Sequence, residues 1–100
     1  MESIMTEITE TPWGAPDTQT VIAEGIIAVT TPSHGGIWLP PERLAEMPEH
    51  LRKCSFTHDN WFEEDCSWCA VALTWPELFP MQLEDAMIIY RRLYANRTAA

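Results

Sequence analysis

Asn60 to Trp75 is the stretch that most limits how this chain can fold. It gathers three of the five tryptophans, two of the three cysteines and the densest acidic run, and it stops at Pro76. A helix is expected across it. Asn60 followed three residues on by Glu63 has the form of a capping box, in which side chain and backbone satisfy each other's orphan groups at a helix start. Glu63, Glu64 and Asp65 then fall in the first turn, where carboxylates favour the positive end of the helix dipole. Beyond them Cys66, Cys69, Ala70 and Leu73 share one face, and Trp68, Val71, Ala72 and Trp75 share another. A helix apolar on most sides is a buried one. The rest of the chain is expected to pack around it.

One hundred residues allow a single domain with one modest core. Met1 to Glu10 reads as a loosely ordered lead-in, and Thr11-Pro12-Trp13-Gly14 as a turn that tucks an indole against the domain. Thr18 to Thr31 predicts a β-hairpin turning at Glu24-Gly25, with the second strand the more buried. Pro32 to Gly36 follows as a loop, and Ile37-Trp38-Leu39 as a short third strand. Pro41 suits the first turn of a helix through about Met47. Pro48 starts another short turn, Glu49 to Lys53, and Cys54 to Asp59 is a connector. Pro76 to Pro80 bends the chain and packs Leu78 and Phe79. Met81 to Asn96 has Leu83, Ala86, Met87, Tyr90 and Tyr94 at helical spacing. The fold class is α+β: a small antiparallel sheet, hairpin plus short third strand, covered on one face by two main helices.

Charge narrows the partners. The net charge is −9, and it is uneven: the first fifty residues carry eight acids against Arg43 alone. Such a surface repels phosphate, so direct nucleic-acid binding is not expected. It can attract a basic groove on a host protein or nucleoprotein complex. No apolar run reaches the ~18 residues of a membrane span, and the start lacks a basic region followed by an apolar core. Three cysteines cannot all pair internally, which fits a reducing compartment. A cytoplasmic protein without a membrane partner is expected.

Three constellations are candidates for function. Cys54, His58, Cys66 and Cys69 are thiolate and imidazole groups of the kind zinc favours, although the expected helix would place Cys66 and Cys69 outside a knuckle turn. Cys66 near a helix N-terminus, with His34 as base and Glu64 orienting it, has the make-up of a small Cys/His enzyme. Three adjacent carboxylates oppose that thiolate. The third is an acidic ridge of Glu42, Glu46, Glu49, Asp59, Glu63, Glu64 and Asp65, imitating spaced phosphates. No cofactor is called for.

Several stretches together resemble a small domain family of unknown function found in proteobacteria and in their phages and plasmids. They are Thr11-Pro12-Trp13-Gly14, Thr31-Pro32-Ser33-His34-Gly35-Gly36, Ile37-Trp38-Leu39 with Pro41-Glu42-Arg43 and Met47-Pro48, Trp61-Phe62-Glu63-Glu64-Asp65-Cys66-Ser67-Trp68, and Pro76-Glu77-Leu78-Phe79. Cys54 and Cys69 stand outside the pattern. The resemblance brings no activity, cofactor or substrate; what it implies is a mobile-element setting. Together with the acidity, it points to a protein that inhibits a host defence target by binding, an anti-CRISPR protein being the concrete form. A zinc-stabilised binding module and the Cys66/His34 enzyme are the alternatives.

Overall fold

The computed structural model describes residues 7–55 and 60–95. The expected hairpin is there: β1 (Thr18–Ala23) and β2 (Ile26–Thr30) pair antiparallel. Gly25 turns between them with a φ of 83°, a left-handed conformation that a side chain disfavours. β3 (Gly35–Trp38) pairs antiparallel with β2, so Gly35 and Gly36 belong to the ladder and not to the preceding loop.

Trp61–Glu63 is a strand, β4, antiparallel to β3, and the sheet order is β1-β2-β3-β4. The helix expected from Asn60 starts only at Trp68, as α3 (Trp68–Thr74). A three-residue strand takes its identity from the edge it pairs with, since β3 offers backbone groups that must be satisfied, and aromatic residues suit a pleated surface. Asn60 is therefore no helix cap. Its side-chain amide donates to Leu39 O at 2.6 Å, while Leu39 N–H donates to Asn60 O at 3.0 Å. The two residues extend the β3–β4 pairing by one step.

Two short helices link β3 to β4. α1 (Pro41–Glu46) has Pro41 in its first turn, where a missing N–H costs nothing. Met47 and Pro48 are extended, and α2 (Glu49–Arg52) begins after them. After α3, a 3₁₀ turn (Pro76–Leu78) leads to α4 (Leu83–Tyr90), which continues as a wider π-type turn, Arg91–Ala95.

Strand alternation divides the sheet into two faces. Ala28, Ile37 and Phe62 form one row across β2, β3 and β4, and they pack toward the helices with Leu39, Met47 and Leu51. On α3, Cys69, Ala70, Val71 and Ala72 are all 0% exposed, as a helix wrapped on every side must be. α4 packs against α3, and its buried Ala86 joins the same core as Ile37 and Phe62 of the sheet, as the expected α+β class requires.

The opposite face is also covered. Ile27, Trp38 and Trp61 form its central row. Ile8, expected in the loose lead-in, is buried there and held by Gln19, whose Oε1 accepts from Ile8 N–H at 2.9 Å and whose Nε2 donates to Ile8 O at 2.7 Å. Trp13 meets Trp61 edge to face at 5.5 Å, the anchoring role expected of it. Trp13 also lies directly on Gly36, where a Cβ would stand 2.5 Å from the ring. Only glycine permits that approach.

Candidate functional site

The turn between β4 and α3 is built around the Glu63 carboxylate. It accepts from Asp65 N–H at 3.0 Å, from Ser67 N–H at 2.9 Å and from Cys66 N–H. In return Ser67 Oγ accepts from Glu63 N–H at 2.6 Å. This reciprocal arrangement closes the turn ahead of α3, whose N-cap residue Ser67 makes no side-chain cap hydrogen bond to the helix. The expected first-turn acids are not in the helix: Glu63 ends β4, Glu64 and Asp65 lie in the turn, and the first turn of α3 holds no acid.

The Cys/His reading does not gain from this geometry. Glu64 N–H donates to Gly35 O at 2.9 Å, which sets Glu64 beside the residue that follows His34. His34 itself is exposed, with its backbone pinned by Thr31: His34 N–H donates to Thr31 Oγ1 at 3.0 Å, and Thr31 Oγ1 donates to His34 O at 2.6 Å. Its ring makes no hydrogen bond to Cys66 or to a carboxylate among the described residues. Burial pushes the Cys66 thiol up, and the carboxylates of Glu63 and Asp65 push it further, Glu63 also through a hydrogen bond. A helix N-terminus favours a thiolate, but here desolvation and two negative neighbours act together against it. The arrangement keeps Cys66 a thiol.

Cys66 lies in the turn ahead of α3 and Cys69 inside it, so the two-residue gap is not wholly helical as expected. Cys54 and Cys69 are buried, Cys66 is half-buried, and no disulfide joins them. Burial is the main cause that takes the Cys69 thiol up to about 12, with Cys54 and Cys66 contributing. No three His, Cys, Asp or Glu side chains are grouped to hold an ion among the described residues. His58 lies outside them, as does Asp59 of the acidic ridge.

The acids of that ridge sit on separate elements: Glu64 lies against Gly35, at the start of β3, and α1 and α2 follow the end of that strand. Glu42, Glu46 and Glu49 do not share one helix, because Met47 and Pro48 are extended between them.

At the α1 end, Arg43 holds the structure together. Its Nε donates to Glu24 O at 3.0 Å, its Nη1 meets Glu46 Oε1 at 3.1 Å, and its guanidinium lies 5.1 Å from the Trp75 ring centre. Trp75 Nε1 donates to the same Glu46 oxygen at 3.2 Å. Glu46 is thus a structural acceptor as well as an exposed acid. The contact also brings the hairpin turn onto α1, since Gly25 abuts Pro40 and Arg43. Glu24, which the sequence reading left out, is exposed at that turn, and Glu42 is exposed on α1 and Glu49 on α2. Only the turn-to-helix docking reveals it.

No helix among the described residues is long and apolar enough to cross a membrane. Comparison with curated proteins finds no match, and comparison with solved structures finds none either. A family model, Domain of unknown function (DUF7007), matches residues 6–100, and the chain belongs to that family.

Proposed function

We propose that this chain is a small acidic interaction protein that works by occupying a basic surface on a host protein or nucleoprotein complex. The observation that carries the reading is the fate of Arg43. It is the one base among the first fifty residues, and it is bound to Glu46, Glu24 O and the Trp75 ring. Glu24, Glu42 and Glu49 remain exposed, with no ion pair among the described residues. Unneutralised charge of one sign steers a basic partner and raises its association rate. The same charge repels nucleic acid itself.

The resemblance to mobile-element proteins supports a setting in the host cytoplasm and an inhibitory role against defence, as in an anti-CRISPR protein. The Cys66 thiol, kept protonated by burial and by Glu63 and Asp65, gives the enzyme reading no comparable support. The test is capture of a host partner by the tagged chain at low and raised salt, alongside a Glu42→Lys/Glu49→Lys variant. The parent should retain its partner at low salt and release it progressively as salt screens the contact. Equal capture by parent and variant at every salt concentration would remove this surface from consideration.

A further inference from the structure

The outer face of α4 carries a pattern that its own helix cannot use. Ile88 stands on it 40% exposed, and Met81, just ahead of the helix, is 86% exposed. Asp85 and Glu84 lie three and four residues before Ile88, and Arg91 and Arg92 lie three and four after it. All four charged residues are exposed, and none forms an ion pair among the described residues. Opposite charges on one helix meet at spacings of three or four. Here they are six to eight residues apart, roughly 9–12 Å along the axis at ~1.5 Å per residue. The helix dipole accounts for acids early and bases late. It gives no reason for an exposed isoleucine midway between them.

A second α4 laid antiparallel across the first pairs all four charged residues. With the two-fold axis at Ile88, Glu84 and Arg91 lie on one side of the seam and Asp85 and Arg92 on the other at ~100° per residue, so Glu84 faces the partner's Arg91 and Asp85 faces the partner's Arg92, and symmetry repeats both pairs. The two Ile88 side chains then meet at the centre and lose their exposure to water. This is the self-complementarity that an isologous contact requires. We propose that α4 is a homodimer interface, pairing two copies of this chain antiparallel about Ile88. The acidic patch at α1 takes no part in it, so the two readings stand or fall separately. One helix pair buries area at the small end of the range, under about 1,200 Å² in total, so association is expected on the order of micromolar.

Sedimentation equilibrium of the full chain at low salt tests it, with two charge variants. Glu84→Lys/Asp85→Lys and Arg91→Glu/Arg92→Glu each set like charges against each other across the axis. Each alone should dimerise at least about tenfold more weakly than the parent. Mixed together they should form a heterodimer with an affinity within a few-fold of the parent's, because acids again face bases. That rescue also separates a lost interface from a lost fold. A parent that remains monomeric into the hundreds of micromolar overturns the proposal. So does a variant that dimerises as well as the parent, or a mixture that stays monomeric.

Discussion

The β4–α3 turn and the α1–α2 segment are both rich in carboxylates, and they use them in opposite ways. Glu63 is enclosed by the N–H groups of Asp65, Cys66 and Ser67, and its charge is engaged in closing the turn ahead of α3. Glu24, Glu42 and Glu49 are exposed to solvent without an ion pair among the described residues. Glu46 falls between the two cases, exposed yet shared by Arg43 and Trp75. The difference teaches that an acidic count says little about a working surface. What matters is which carboxylates the fold has already engaged.

The contrast can be broken at its buried end by alkali, where the largest effect is expected. The Cys69 thiol, next to the turn, titrates near 9.0 in an unconstrained chain and is pushed to about 12 in the fold, burial being the main cause. Below 9.0 both states hold the proton, and the stabilisation is fully present. Between 9.0 and about 12 the unfolded chain releases it while the folded one does not, so stability falls as pH rises. Burial raises Tyr94 in the same direction. Melting temperatures measured from pH 8 to 11 should drop steeply above about 9, and Cys69→Ala should flatten that slope. An unchanged slope in the variant would place the alkaline loss elsewhere.

Next in size is the Glu63 turn itself. Glu63→Ala removes the acceptor of three N–H groups and should lower stability by about 2 kcal/mol, since bonds to a charged group exceed neutral ones. Urea unfolding checks this; a loss within ~0.5 kcal/mol would mean the turn holds without it. Glu46→Ala takes a partner from both Arg43 and the Trp75 indole, but half of its side chain is solvated. About 1 kcal/mol is expected there. Glu42→Lys/Glu49→Lys breaks no side-chain hydrogen bond or ion pair among the described residues, but both stand in the first turns of α1 and α2, so the reversal should cost no more than about 1 kcal/mol through the dipoles of these short helices.

Much of this fold was legible from local signals. Gly25 at the hairpin, Pro41 at the start of α1, Pro48 ahead of α2 and the apolar spacing of α4 each act within a few residues, and each read correctly. β4 did not, because Trp61-Phe62-Glu63 is too short to declare itself, and Asn60 with Glu63 imitates a helix start. Its strand character comes from pairing with Gly36, Ile37 and Trp38, twenty-odd residues away in sequence. The same holds for the candidate surface. That Glu46 is occupied depends on Trp75, and that the Glu24 turn meets α1 depends on the docking of Gly25 against Pro40. Neither contact has a local signature. The packing of α4 on α3, and so the bare outer face around Ile88, was hidden for the same reason.

The central claim is that the solvent-facing acids of α1 and α2, and not the enclosed Glu63, form the working surface. The most direct measurement is the affinity of the captured host partner for the parent, for Glu42→Lys/Glu49→Lys and for Glu63→Gln, followed through a salt titration. The claim predicts that the α1–α2 variant loses binding mainly through slower association, with a gap to the parent that closes as salt rises. Glu63→Gln should bind like the parent wherever it remains folded. If Glu63→Gln loses binding while folded and Glu42→Lys/Glu49→Lys does not, the working surface lies at the β4–α3 turn and the claim is wrong.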